Sequence, residues 1–90
     1  MKKKVSVLGD GAFGTAFAQL IALKGHEVSL WCYNKFTYES IKKTGINDIY
    51  LPEIKLDSKI IPTTNIQESI NSSDIIFEAI PAQYLKQTLL

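Results

Sequence analysis

The start of the chain pairs a short apolar run with a longer apolar pattern of different spacing. Val5–Leu8 are mostly apolar and are followed by Gly9, which predicts a buried strand. Beyond residue 12 the apolar side chains recur every three or four positions, which predicts an amphipathic helix that buries this face. The positions are Phe13, Ala16, Phe17 and Leu20, and Gly25 ends the helix.

Strand and helix patterns continue to alternate along the rest of the chain. Strands are predicted at 28–31, 60–61 and 74–80, and helices at 34–43, 65–70 and 82–90. Asn34 and Asn65 are suited to cap helices, while Pro62 is expected to limit the third strand. Residues 46–59 have no clean period and predict an irregular excursion with one turn of helix. Because the last helical pattern has no stop signal, we expect residues 1–90 to form a truncated N-terminal domain.

A glycine-rich turn joins the first predicted strand to the first predicted helix. Residues 9–14 read GDGAFG, the pattern G-x-G-x-x-G. In this setting Gly9 permits a tight turn, Gly11 lets a pyrophosphate approach the backbone, and Gly14 lets the helix pack closely on the strand. The free N–H groups at the helix start favour phosphate binding. The simpler interpretation is a glycine-rich turn without a ligand.

This turn and the strand–helix alternation together predict the fold. Strands joined through helices form parallel sheets with right-handed crossovers. We therefore expect an α/β, Rossmann-type fold, with about four parallel strands and flanking helices, that forms a dinucleotide-binding domain over residues 1–90.

The composition argues against several other classes of function. Ten lysines and no arginine stand against nine acidic residues, and the net charge of +1 is too small to predict binding to nucleic acid or an anionic membrane. One cysteine and one histidine offer no cluster for a metal ion. No apolar stretch is long enough for a membrane span, so we expect a cytoplasmic protein. His26, Trp31 and Cys32 are expected to serve structure rather than chemistry.

The segment after the second strand bears on which dinucleotide would bind. Rossmann domains that bind NAD usually have an acidic residue about 20 residues after the glycines, which bonds the ribose 2′-OH. Residues 32–35 contain neither an acid nor an arginine. Asn34 could bond the 2′-OH or simply cap its helix, Lys35 could pair with the 2′-phosphate of NADP, and Tyr33 could cover the adenine. The choice between NAD and NADP stays open.

Several short motifs follow one another along nearly the whole chain. They are GDGAFGTA at 9–16, GHEV at 25–28, LW at 30–31, YLP at 50–52, TT at 63–64 and PAQ at 81–83. Together they resemble NAD(P)-dependent glycerol-3-phosphate dehydrogenase. The resemblance implies the cofactor-binding front of an oxidoreductase that interconverts dihydroxyacetone phosphate and glycerol 3-phosphate with NAD or NADP, usually to supply phospholipid synthesis.

The prediction of site residues combines this resemblance with the glycine pattern. The expected cofactor-binding residues are Gly9, Gly11, Ala12, Phe13, Gly14, Tyr33, Asn34, Pro81 and Gln83. By the resemblance, catalysis and binding of the phosphorylated substrate lie beyond Leu90, so no catalytic or metal-binding residue is assigned within the chain, and the full protein could be a homodimer.

Two residues depart from the family pattern in ways that concern cofactor affinity rather than fold. Asp10 stands where alanine is more common, and Glu78 stands where an apolar residue is usual. Glu78 is expected to reach the carboxyl end of its strand and find water or a polar partner. Two alternative functions are a related NAD(P)-dependent dehydrogenase of hydroxy acids or sugar acids, and a non-catalytic nucleotide-sensing module.

Overall fold

Strands and helices alternate as the sequence predicts in the computed structural model, which describes residues 2–79. The strands are β1 (Lys4–Leu8), β2 (Glu27–Trp31), β3 (Ile46–Asn47), β4 (Leu51–Lys55), β5 (Ile60–Thr63) and β6 (Ile75–Glu78). The helices are α1 (Ala12–Leu23), α2 (Lys35–Thr44) and α3 (Ile66–Asn71). No helix within residues 2–79 is long and apolar enough to cross a membrane. The helix predicted over 82–90 lies outside the described residues.

Four strands form one parallel sheet in the order β5-β2-β1-β6. β1 pairs with β2 from Lys4 opposite Glu27 to Leu8 opposite Trp31, and it pairs with β6 along its other edge. The chain runs outward from β1 to β2 and β5, then returns to place β6 on the opposite side of β1. The predicted α/β, Rossmann-type sheet with flanking helices is therefore confirmed, and strand order reverses between β1 and β6.

The two faces of the sheet carry different side chains. On one face, aliphatic residues of β1 and β2 are buried with residues of α1 and α2, since alternate residues of a strand point the same way. On the other face, Ser69 of α3 forms hydroxyl hydrogen bonds to Ser6 at 2.5 Å and to Ser29 at 2.7 Å. These small side chains let α3 lie close to the sheet while each buried hydroxyl keeps a partner.

The helix ends confirm the predicted caps. The Asn34 side chain accepts a hydrogen bond from the Phe36 N–H at 2.8 Å, and the Asn65 side chain accepts one from the Glu68 N–H at 2.9 Å. Gly45 ends α2 with φ of 75°, a left-handed conformation that glycine adopts without steric cost. These local interactions explain why the bounds of α2 and α3 agree closely with those expected.

The buried face of α1 differs from the prediction. Its buried residues are Gly14, Thr15, Ala18 and Ala22. Phe13 and Leu20, expected to face the core, are 67% and 59% exposed. The predicted face is wrong because α1 lies directly over β1 and β2, where only small side chains permit close approach. The larger apolar residues lie on the flank, where the Phe17 ring stacks on Phe77 with their centroids 3.9 Å apart.

Two predictions about the stretch between α2 and α3 are wrong. Residues 46–59 contain no helix; instead β3 and β4 pair antiparallel, with Ile46 opposite Lys55 and a turn at 48–50 between them. β3 has only two residues and the register shifts between Ile46 and Asn47, so the pairing leaves no regular period in the sequence. β5 continues through Pro62 to Thr63 rather than stopping at the proline. Because β5 is an edge strand, the missing N–H of proline breaks no pairing with a further strand.

In the part of the chain that the structure describes, β6 forms the other edge of the sheet and is only partly covered. Glu78 is the last residue of β6 and is exposed, which confirms that its carboxylate lies at the carboxyl end of the strand and reaches water. Ile76, on the same side of the strand, is 46% exposed. The strand predicted over 74–80 is thus observed from Ile75 to Glu78 within the described residues.

Candidate functional site

The candidate site lies at the carboxyl ends of β1, β2 and β6. The glycine turn, defined as residues 9–14, follows β1 directly and leads into α1. The strand order reverses between β1 and β6, and ligands of open α/β sheets bind in the crevice outside the carboxyl ends at such a reversal. The residues expected from the sequence to bind pyrophosphate therefore stand at the position that the topology favours.

Gly9 and Gly14 have the structural roles that the sequence predicts. Gly9 has φ of 132°, which side chains rarely permit, and its N–H donates to the carbonyl of Trp31 at 3.1 Å. A Cβ added to Gly14 would run into the carbonyl oxygen of Gly9 and would lie 3.1 Å from the Ala79 Cβ. Gly9 thus makes the sharp turn, and Gly14 permits close packing of α1 against the ends of β1 and β6.

Gly11 has no comparable structural requirement. Its φ of −68° and ψ of −178° are open to any residue, and an added Cβ would meet no atom of residues 2–79 within 4 Å. Gly11 is the N-cap of α1, yet within residues 2–79 no side chain caps this helix end, and the first turn contains no acidic residue. The N–H groups of the first turn and the positive end of the helix dipole are therefore suited to an anion such as pyrophosphate.

Ala12 and Phe13 begin α1 on its outer side, and both are exposed. The Phe13 ring packs beside Phe17, with 6.2 Å between centroids, and beside Phe77, with 6.3 Å. These aromatic residues form a wall next to the glycine turn on the β6 side. Contact of Ala12 and Phe13 with a cofactor stays a prediction.

The loop after β2, residues 32–34, is brought to the glycine turn by Asp10. One carboxylate oxygen of Asp10 accepts the Tyr33 N–H at 3.3 Å, and the other accepts the Asn34 N–H at 3.1 Å. Tyr33 is 60% exposed and meets the Trp31 ring edge-on at 5.8 Å between centroids. Asn34 uses its side-chain oxygen to cap α2, the structural one of its two predicted roles.

A buried polar network stabilises the glycine turn. The sequence analysis did not predict it. The Asn47 side-chain amide donates to the Asp10 carbonyl at 2.9 Å and to the Thr15 hydroxyl at 2.8 Å. Thr15 also donates to the Asp10 carbonyl, at 3.1 Å. No local signal marks Asn47, because the adjacent Asp48 is equally polar but exposed. The network fixes the turn that would have to hold a phosphate.

Trp31 and Cys32 are buried and His26 is hydrogen-bonded to the main chain; their purely structural role stays a prediction. Trp31 is 7% exposed and donates its indole N–H to the Thr64 carbonyl. Burial raises the pKa of the Cys32 thiol to about 12, and the nearby charge of Asp10 adds to this rise. His26 accepts a hydrogen bond from the Lys3 N–H at 3.0 Å, at the opposite end of the sheet.

Pro81 and Gln83, the predicted contacts on the nicotinamide side, lie outside the described residues. Within residues 2–79, no group of three or more histidine, cysteine or carboxylate side chains is arranged to hold a metal ion.

Comparison with known proteins gives a consistent family assignment. The family described as the N-terminus of NAD-dependent glycerol-3-phosphate dehydrogenase matches residues 4–90. The glycerol-3-phosphate dehydrogenase (NAD(P)+) of Psychrobacter cryohalolentis is 40% identical over 88 residues, which are 98% of this chain and 20% of that protein. Its counterpart in Streptococcus agalactiae is 43% identical over 82 residues, 91% of this chain and 24% of that protein. The chain thus spans about a quarter or less of these relatives.

Solved structures agree with the sequence relatives. A glycerol-3-phosphate dehydrogenase from Coxiella burnetii matches 97% of this chain and 27% of its own, with a TM-score of 0.89 and 26% identity. One from Plasmodium falciparum matches the same shares of both chains, with a TM-score of 0.86 and 26% identity. These relatives do not favour a dehydrogenase of other acids or a sensing module. Matched in sequence and in fold along almost its whole length, this chain belongs to the family of NAD-dependent glycerol-3-phosphate dehydrogenase N-terminal domains.

Proposed function

We propose that this chain binds NAD or NADP at its glycine turn and forms the nucleotide-binding portion of a glycerol-3-phosphate dehydrogenase. Gly11 is the observation that carries the proposal. Neither its backbone conformation nor its packing requires glycine, because φ is −68° and an added Cβ would meet no atom within 4 Å. A pyrophosphate lying against the backbone does require glycine there.

The surroundings of Gly11 support an anionic ligand in particular. Among the described residues, no side chain caps the start of α1 and no acidic residue lies in its first turn, so none of them competes with an anion for these N–H groups. Asp10 is the nearest acid in sequence, but its carboxylate accepts N–H groups of the loop after β2. Its charge is therefore directed away from the helix start.

Each predicted contact then has a part in orienting the nucleotide. We propose that Gly9, Gly11 and Gly14 receive the pyrophosphate together with Ala12 and Phe13, as the sequence predicts. Tyr33 and Asn34 would border the adenosine, since they follow β2 at the same edge of the sheet. Pro81 and Gln83 would lie on the nicotinamide side, a proposal that rests on the family resemblance.

The reaction proposed for the whole protein is the interconversion of dihydroxyacetone phosphate and glycerol 3-phosphate. A bound nicotinamide supplies or accepts the hydride. We propose that the catalytic residues and the substrate phosphate site lie in the part of the relatives that this chain does not span. A cytoplasmic location, a homodimer and a role in phospholipid synthesis belong to the same proposal.

Titration calorimetry with NADH tests the nucleotide site directly. Gly11→Val places a branched side chain where the pyrophosphate would lie, so we expect the Kd for NADH to rise at least about tenfold, a loss of about 1.4 kcal/mol or more. Because φ of −68° is open to any residue and an added Cβ would meet no atom of the described residues within 4 Å, the melting temperature should change little. Unchanged affinity for NADH in a folded Gly11→Val protein would contradict the proposal.

A further inference from the structure

We propose that Asp10 makes this site prefer NADH over NADPH, a role that rests on the proposed function. The inference concerns the loop after β2, where Rossmann domains distinguish the two nucleotides. In this chain, residues 32–35 offer no acid to bond a ribose 2′-OH. The structure brings a carboxylate to that loop from the glycine turn instead.

Asp10 is held firmly in this position. Its carboxylate accepts the N–H groups of Tyr33 at 3.3 Å and Asn34 at 3.1 Å, and the residue is only 5% exposed. Its carbonyl is bonded by Asn47 and Thr15, so its main chain is fixed as well. Because both its side chain and its main chain are hydrogen-bonded, Asp10 fixes the position of the loop after β2.

The charge of Asp10 therefore lies at the carboxyl end of β2. Cys32, the first residue after β2, has a thiol pKa raised chiefly by burial and further by the charge of Asp10. A 2′-phosphate carries about −1.5 to −2 charges at neutral pH and would have to bind near this carboxylate. A 2′-OH is neutral and experiences no such repulsion.

Asp10 also uses donors that a 2′-phosphate would need. Backbone N–H groups of loops are common phosphate ligands, but those of Tyr33 and Asn34 already donate to the Asp10 carboxylate. The Asn34 side-chain oxygen is engaged in capping α2. Lys35 is the nearby cation that could oppose this preference, yet it is exposed at the start of α2, where solvent screens its charge.

The test compares the Kd values of NADH and NADPH, measured by calorimetry on the wild type and on Asp10→Asn. We expect the wild type to bind NADH more tightly. In Asp10→Asn the ratio of the NADPH Kd to the NADH Kd should fall about tenfold, the order of effect that one removed charge produces at close range. A general loosening of the protein would change both Kd values in parallel and leave the ratio unchanged.

Glu39→Gln is the matched control, because it removes one unit of negative charge from an exposed position on α2. It should leave the ratio within about twofold, since surface charges are screened by solvent and salt. A second comparison needs no variant: the wild type should bind 5′-AMP more tightly than adenosine 2′,5′-bisphosphate. A preference for the 2′,5′-bisphosphate would contradict the inference even if Asp10→Asn does not fold.

The outcomes separate this inference from the function on which it rests. A wild type that prefers NADPH, a ratio unchanged in Asp10→Asn, or a preference for the 2′,5′-bisphosphate would each overturn the role of Asp10 while leaving nucleotide binding intact. A wild type that binds neither NADH nor NADPH would refute the proposed function itself.

Discussion

Gly14→Ala should destabilise the fold much more than Gly11→Ala, although the two positions lie three residues apart in one turn. The new methyl at Gly14 would run into the Gly9 carbonyl oxygen and approach the Ala79 Cβ to 3.1 Å. The carbonyl belongs to the main chain at the end of β1 and cannot rotate away. At Gly11 the same methyl meets nothing within 4 Å, and φ of −68° suits alanine.

The magnitude follows from two opposing effects. Forcing an extra carbon into a packed site costs about 1–3 kcal/mol. Replacing glycine also restricts the unfolded chain, which offsets about 0.4–1 kcal/mol of that cost. The net loss for Gly14→Ala is about 1–2 kcal/mol, which lowers the melting temperature of a domain of this size by about 5–15 °C. Gly11→Ala should stay within about 0.5 kcal/mol of the wild type.

Urea unfolding followed by Trp31 fluorescence measures both variants. Trp31 is the single tryptophan, is 7% exposed and accepts the Gly9 N–H through its carbonyl, so it reports on the region of the turn. With a urea slope of about 1 kcal/mol per molar, the midpoint of Gly14→Ala should fall by about 1–2 M. Equal midpoints for the two variants would refute the argument that α1 packs against the Gly9 carbonyl.

Two further predictions concern the polar network and the buried thiol. Asn47→Ala should lower the free energy of unfolding by about 2–3 kcal/mol in the same urea assay, because buried groups of Asp10 and Thr15 lose a donor, whereas exposed Asp48→Ala should change it by less than about 0.5 kcal/mol. Similar losses in both variants would contradict a stabilising network. The folded Cys32 thiol has a pKa of about 12, whereas an unfolded thiol has a pKa of about 8.5. Because the folded state keeps the proton between these values, the free energy of unfolding should fall as pH rises through this range. Cys32→Ala should remove that part of the pH dependence, and an identical slope in both proteins would show that the thiol titrates normally.

Features whose physical cause is local could be read from the chain alone. Asn34 and Asn65 cap helices that begin one residue later, and Gly45 takes the left-handed conformation that ends α2. The strand, turn and helix around residues 9–14 likewise depend on neighbouring residues, and the alternation of elements was enough to predict a parallel sheet. At the helix ends the interacting groups lie within a few positions of one another.

Features that depend on distant partners could not be read in this way. The buried side of α1 is formed by small residues such as Ala18, because the helix packs closely against β1 and β2. The apolar period of the helix does not show how close this packing is. The hydrogen bond from Asn47 to Thr15 joins residues that are 32 positions apart. Asp10 looked unfavourable beside a pyrophosphate, but the folded chain brings the N–H groups of residues 33 and 34 to its carboxylate. The sequence shows that residue 10 carries a charge. Which way its side chain points depends on the distant backbone groups that the fold places beside it.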